Sequence, residues 1–219
     1  GFHGTSHRYV SQRVCEFLGM PVEGSKIITC HVGNGGSITA IKDGKSIDTS
    51  MGFTPLEGLL MGTRSGDIDA GAVTYIMDKE GLDPKGISDY LNKKSGVAGV
   101  SGLSSDMRDI EAADKAGVPL AVLAMSMYSY KIKKYIGAYT AALGGVDVIV
   151  FTGGVGENQT GLRADICNEL AFMGIELDEE ANKVRGEEKI ITTENSKIKV
   201  VVIPTDEEFM IASDTMNLI

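Results

Sequence analysis

Val10, Val14 and Leu18 recur at four-residue spacing. Thr5 or Ser6 ahead of them is a cap and Gly19 behind them a stop, which predicts a helix over about 7–18. The pattern then changes to that of strands. Residues 26–31, 37–41 and 45–49 are separated by Gly33-Asn34-Gly35-Gly36 and Lys42-Asp43-Gly44, and the first two runs are β-branched and apolar. Together they predict an antiparallel meander. A loop rich in Gly and Met covers 51–66. Asp67 or Asp69 then caps a helix to about residue 79, and Pro84 opens another to about residue 94. A Gly/Ser loop over 95–105 precedes a short acidic helix over about 107–115. The longest helix runs from Pro119 to about residue 143. Its Leu120, Leu123, Ala124, Met127, Ile132, Ile136, Tyr139 and Leu143 are spaced as a buried face. A strand over 146–151, a helix over 162–170, a ribbon around 189–192, a strand over 197–203 and a last helix from Asp206 complete the chain.

Three meandering strands followed by helices that alternate with further strands is an α/β order: a mixed sheet flanked by helices. It is similar to the ribonuclease H-like fold of the actin/Hsp70/sugar-kinase superfamily, whose members clamp a nucleotide between two such halves.

Composition narrows the functions. The 219 residues are 42% hydrophobic and 23% charged, the balance of a globular chain that can bury a core, as one large domain or two small ones. A formal net charge of -9 without a basic cluster argues against nucleic acid or an anionic membrane as partner. No apolar run reaches the ~20 residues of a membrane span. Cys15, Cys30 and Cys167 lie far apart and read as buried thiols of a reducing, cytoplasmic compartment. The chain starts Gly1-Phe2-His3-Gly4 without Met, so it is expected to be a piece of something longer.

Two glycine sites carry the chemistry. At Gly33–Gly36 almost nothing but backbone faces the outside of a turn, a concavity that suits phosphate oxygens. On its own such a turn reads first as an ordinary hairpin. The second site is Thr152-Gly153-Gly154-Val155-Gly156-Glu157-Asn158, a glycine loop between a buried strand and a helix. Strand, loop, helix places the loop at the carboxyl end of a sheet, where α/β folds bind ligands. Neither spacing is a dinucleotide or Walker A fingerprint. Glu157 and Asn158 can reach a ribose or purine. Asn158 and Thr160 also suit a helix N-terminus without any ligand.

Six segments in one order resemble the acetate kinase (acetokinase) family along the whole chain, and correspond to the C-terminal half of its length. They are Phe2-His3-Gly4-Thr5-Ser6-His7, His31-Val32-Gly33-Asn34-Gly35, Met61-Gly62-Thr63-Arg64-Ser65-Gly66-Asp67, Ser104-Ser105-Asp106-Met107-Arg108-Asp109, Phe151 to Asn158, and Thr205-Asp206-Glu207-Glu208. The resemblance implies reversible transfer of the γ-phosphoryl of ATP to acetate, giving acetyl phosphate and ADP on the way to acetyl-CoA, in a cytoplasmic homodimer. It implies that His3 and Arg64 stabilise the moving phosphoryl group. His31, Val32, Gly33, Asn34 and Gly35 would cradle the nucleotide phosphates. Asp106, Met107 and Arg108, with Gly154, Val155, Gly156, Glu157 and Asn158, would hold adenosine. Glu207 would help hold Mg²⁺, for which Mn²⁺ can substitute.

Residues 1–219 are then the C-terminal nucleotide-binding lobe. The segment from about 206 to 219 would pack towards an N-terminal lobe that this chain lacks. That lobe carries an Arg and an Asp of the family's chemistry, so the chain alone is expected to be inactive. A propionate kinase and a nucleotide-binding module without transfer chemistry are the alternatives. His7 is expected to be structural. The local alternative for Arg64 is a salt bridge to Asp67 or Asp69, and for Glu207 a first-turn acid favouring the helix dipole.

Overall fold

The structure is a computed structural model and describes residues 2–218. In chain order its first elements are α1 (Gly4–Leu18), β1 (Lys26–Val32), β2 (Gly36–Lys42), β3 (Lys45–Thr49), α2 (Ala70–Glu80), α3 (Pro84–Lys93), α4 (Gly96–Ser101) and α5 (Met107–Lys115). There follow α6 (Pro119–Leu143), β4 (Val148–Thr152), α7 (Gly153–Asn158), α8 (Thr160–Glu169), β5 (Lys189–Ile190), β6 (Lys199–Val202) and α9 (Glu207–Met216). The chain divides into two compact units. Unit 1 takes the described residues of 1–32, 37–49 and 132–219, and unit 2 takes 33–36 and 50–131.

Unit 1 contains one six-stranded sheet in the order β3-β2-β1-β4-β6-β5. β4 is parallel to β1, with His31 opposite Thr152, and β6 is parallel to β4. β3 is antiparallel to β2, and β5 to β6. This mixed sheet flanked by helices agrees with the ribonuclease H-like order that the sequence predicts. Strand alternation puts Ile27, Val148, Val150, Val201 and Ile41 on a common core with Val10, Val14 and Cys15 of α1. α9 is tied to α1 by an Arg8–Asp214 ion pair and by the Tyr9 and Phe209 rings, 6.2 Å apart edge to face. Cys15, Cys30 and Cys167 are buried free thiols, and burial pushes the Cys167 thiol up to about 12.

Unit 2 is built on α2 to α5 and the first half of α6. Leu59, Met61, Val97, Ile110, Ala121, Ala124 and Tyr128 are at most 1% exposed within it. Among the described residues no helix is long and apolar enough to cross a membrane.

Four expectations are corrected. α1 begins at Gly4, and its N-cap is His3 in the left-handed region (φ 60°) rather than Thr5 or Ser6, with no side-chain cap. Residues 96–101 of the expected Gly/Ser loop are helix α4, and residues 153–158 of the expected glycine loop are helix α7. Glycine's low helix propensity hides both from a local reading. In α6 the buried face of the first half is Ala121, Ala124, Met125 and Tyr128, whereas Leu120, Leu123 and Met127 are exposed. The apolar pattern there has two faces, and packing selected the one that carries Ala121, Ala124, Met125 and Tyr128. Ala124, Ile132, Ile136, Tyr139 and Leu143 are buried as expected.

Candidate active site

In unit 1 the face of the sheet under α1 changes character along its length. On β1 it reads Ile27, Thr29, His31, and on β2 it reads Ile41, Thr39, Ser37. On α1 the facing residues Val14, Val10, His7 and His3 follow at helical spacing. Apolar side chains therefore fill one end of the layer and hydroxyls with imidazoles fill the other. His7 Nδ1 lies 2.7 Å from Thr29 Oγ1, and its Nε2 lies 2.7 Å from Ser37 Oγ. Ser37 Oγ is also 2.9 Å from His3 Nδ1, and Ser6 Oγ is 2.8 Å from His31 Nδ1. The His3 and His31 rings stack with centroids 3.9 Å apart and planes 12° from parallel.

Burial keeps most of this cluster neutral. Desolvation, with smaller contributions from His31 and His3, pushes the His7 imidazole down to about 3. Desolvation and His3 push His31 down to about 4. Ser6, Thr29 and Ser37 are fully buried and hold the rings by hydroxyl contacts. His3 is half-buried, and both Phe2 and His3 have positive φ (56° and 60°). Two consecutive non-glycine residues in that region store strain of about 1–3 kcal/mol each.

His31 stands at the carboxyl end of β1, beside the start of α7. Gly153 has φ +77°, and a Cβ there would meet Val32 O at 2.9 Å and His31 Cδ2 at 3.2 Å, so only glycine lets β4 turn into α7 so close to β1. Glu157 Oε1 accepts from Gly153 N at 2.9 Å, from Thr205 N at 3.3 Å and from Thr152 Oγ1 at 3.4 Å. Its carboxylate thereby fastens the start of α7 to the approach to α9. Asn158 Nδ2 donates to Gly154 O at 2.9 Å, inside α7. Val155 is buried and Gly154 is exposed, with open space where a Cβ would stand.

A fully buried Arg163 on α8 supports this turn from below, and nothing in its sequence context marked it. Its guanidinium donates to Gly156 O, Asn182 Oδ1, Asn182 O and Val184 O at 2.7–2.9 Å. Desolvation lowers it to about 10. Four carbonyl acceptors hold the charge, and among the described residues no carboxylate does.

Unit 2 holds the other expected residues. In the turn, Gly33 N donates to Gly35 O at 2.9 Å, so this N–H is turned inward rather than left bare. Gly62 N donates to Asn34 O at 2.9 Å, and the buried Tyr128 hydroxyl donates to Gly33 O at 3.3 Å. Arg64 sits on a loop braced from α4: Ser95, Val97 and Ala98 N–H donate to the carbonyls of Thr63, Met61 and Gly62 at 2.8–3.0 Å. Gly96 makes this possible, since a Cβ at its φ of +67° would lie 2.3 Å from Met61 O. The Arg64 guanidinium is half-buried and donates to Pro55 O at 3.2 Å. Asp67 pairs with Lys131 and Asp69 caps α2, so among the described residues no carboxylate neutralises Arg64. Asp106 caps α5 and forms an exposed ion pair with Arg108, whose hydrogen bond holds its carboxyl down at about 2. Met107 turns into the core.

Glu207 lies half-buried in the first turn of α9, where Asp206 serves as cap by accepting from Phe209 N at 2.8 Å. Among the described residues no three His, Cys, Asp or Glu side chains group as a metal cage. One available carboxylate at a helix start still fits Mg²⁺, which binds through one or two carboxylates together with water and substrate phosphates.

A model of the acetokinase family matches residues 1–213. The acetate kinase of Phocaeicola vulgatus is 72% identical over 219 residues, covering all of this chain and 55% of that protein. The crystal structure of Porphyromonas gingivalis acetate kinase superposes with a TM-score of 0.96 at 61% identity, over 99% of this chain and 55% of that one. A propionate kinase from Francisella tularensis superposes with a TM-score of 0.92 at 44% identity, over 99% and 55% of the two chains. The chain thus spans about half the length of the curated relatives it matches.

Proposed function

This chain belongs to the acetokinase family, and we propose that it is the C-terminal, nucleotide-binding half of an ATP:acetate phosphotransferase. The observation that carries the reading is the cluster His3, His7, His31 and Ser37 at the carboxyl end of β1, next to the turn from β4 into α7. Open α/β sheets bind their ligands at such strand ends.

Phosphoryl transfer demands positioning and charge stabilisation more than covalent work by the protein. His3 and Arg64 supply the stabilising donors, and Arg64 is suited to it because no carboxylate among the described residues neutralises its planar fork. The segment 31–35 cradles the phosphates. Asp106, Met107 and Arg108, with Gly154 to Asn158, contact adenosine. Among these Glu157 acts by shaping the turn into α7, because it is fastened to Gly153 and Thr205. Glu207 holds Mg²⁺, which when bound neutralises charge on the nucleotide phosphates. Acetate is favoured over propionate as acceptor because relatives named acetate kinase reach 72–73% identity against 44% for the propionate kinase. The exposed apolar row Leu120, Leu123 and Met127 on α6 suits a homodimer contact. The protein works in the cytoplasm, and this chain alone binds nucleotide without turning over.

The test is an assay of the full-length protein with acetate, propionate and butyrate, alongside calorimetry of the 219-residue chain with MgADP. Acetyl phosphate formation by the former and weak binding by the latter are expected. A folded chain that binds no nucleotide would overturn the reading.

A further inference from the structure

Ser37 Oγ carries one proton and stands between two imidazole nitrogens, His7 Nε2 at 2.7 Å and His3 Nδ1 at 2.9 Å. The hydroxyl can donate to only one of them. His7 is neutral at physiological pH, because burial holds its imidazole far below the usual range, so it has one N–H and one lone pair. Its remaining nitrogen, Nδ1, meets the Thr29 hydroxyl at 2.7 Å. Two arrangements pair a donor with an acceptor at all three distances and also give the buried Ser37 proton an acceptor; a third, in which Ser37 accepts from both rings, leaves that proton without one among the described residues. In the first, Ser37 donates to His7 Nε2 and accepts from His3 Nδ1–H, and His7 Nδ1–H donates to Thr29. In the second, every bond is reversed: Thr29 donates to His7 Nδ1, His7 Nε2–H to Ser37, and Ser37 to His3 Nδ1, leaving the proton of His3 on Nε2. In either arrangement His3 and His7 have the same tautomer. A doubly protonated His3 is compatible with the first alone, because the second turns a hydroxyl proton towards Nδ1.

We infer that His7 is a positioning residue that acts through the Ser37 hydroxyl to set which ring nitrogen of His3 carries the proton. His3 stacks on His31 at 3.9 Å and leads directly into α1, so its ring is held while its protonation is selected from behind. Among the described residues, the rings of His7 on α1 and His31 on β1 pack against it. The catalytic consequence rests on the phosphoryl-stabilising role proposed for His3; the tautomer coupling itself does not.

The chain has three histidines, so ¹⁵N-histidine labelling gives a readable spectrum. Long-range ¹H–¹⁵N correlations at neutral pH report the tautomer of each ring in the 219-residue chain. His3 and His7 are expected in the same tautomer, or, where His3 is protonated, with His7 as Nδ1–H. Opposite tautomers would overturn the inference. Ser37→Ala should release His3 into a mixture of tautomers while His7 stays ordered. Should that variant fail to fold, Thr29→Val removes the far hydroxyl and leaves Ser37 in place. The tautomer populations of His3 should then shift together with those of His7, and a shift in His7 alone would refute the coupling. In the full-length enzyme Ser37→Ala should lower kcat about ten-fold with KM for ATP little changed. A wild-type enzyme that makes no acetyl phosphate would count against the proposed function and leave the spectral result intact.

Discussion

The two units fix their candidate site residues by opposite means. In unit 1 the side chains themselves are locked: three imidazoles are held by the buried hydroxyls of Ser6, Thr29 and Ser37. In unit 2 the backbone is locked and the side chain is not. The loop carrying Arg64 is braced by three N–H donors from Ser95, Val97 and Ala98, while its guanidinium makes one long hydrogen bond to Pro55 O and a sulfur contact to Met61. Preorganised rings suit a fixed geometry around a substrate. A charged fork on a rigid base suits a group whose charge develops only during the reaction. The same distinction separates Glu157, whose carboxylate is fastened to Gly153 and Thr205, from the exposed Gly154 beside it.

The largest expected effect breaks the unit 2 side of this comparison. In the full-length enzyme Arg64→Ala should lower kcat about 10³-fold, on the scale of arginines that stabilise phosphoryl transfer. KM for ATP should move much less, since the contact is made mainly in the transition state. Steady-state kinetics decide it, and near-normal kcat would remove Arg64 from the chemistry. His3→Ala should cost about 10²-fold in kcat, a smaller loss because an imidazole offers single N–H donors where a guanidinium offers a planar charged fork.

Bracing is tested next. Gly96→Ala places a Cβ 2.3 Å from Met61 O at a φ of +67° and should destabilise the chain by about 2 kcal/mol in urea titrations. A similar loss should follow acidification, through unit 1 instead. Burial pushes His7 from 6.5 down to about 3, so below pH 6.5 the unfolded chain binds a proton that the folded one refuses. Stability is therefore complete above about pH 6.5 and falls as pH drops from there towards 3. At pH 5 the loss relative to pH 7 is about 2 kcal/mol for His7 alone. A flat unfolding midpoint between pH 7 and 5 would contradict the buried, neutral cluster. The smallest effect belongs to Gly154→Ala. Open space at that position predicts a stability change within about 0.5 kcal/mol, and calorimetry should still show weaker MgADP binding where a ligand approaches the backbone.

Much of the fold was legible from local rules. Asp69, Asp83 and Asp106 cap α2, α3 and α5 with their side chains, Pro84 opens α3, and Gly19 and Gly81 stop α1 and α2 in the left-handed conformation. The strands 26–32, 36–42 and 45–49 lie within one residue of the alternation that predicts them. The glycine helices α4 and α7 were not legible. α4 lends N–H donors to carbonyls more than thirty residues away, and the start of α7 is held by Glu157. Propensity says nothing of such partners.

The candidate site divides along the same line. Its residue types, order and spacing in the segments around His3, His31, Arg64, Asp106, Gly154 and Glu207 were set by the sequence, and they carry the family. One further signal was present unread: the runs Ile27-Thr29-His31, Ile41-Thr39-Ser37 and Val14-Val10-His7-His3 each pass from apolar to polar along one face. Only the tertiary structure brought those three runs onto one layer, so that a serine thirty residues from His7 could join it to His3. It also decided that Leu120, Leu123 and Met127 would remain exposed while Ala121, Ala124 and Tyr128 went inside. Period and capping act over a few residues and are written in the chain itself. Hydrogen bonds between buried side chains, and the choice between two apolar faces of one helix, depend on what arrives from elsewhere in the fold.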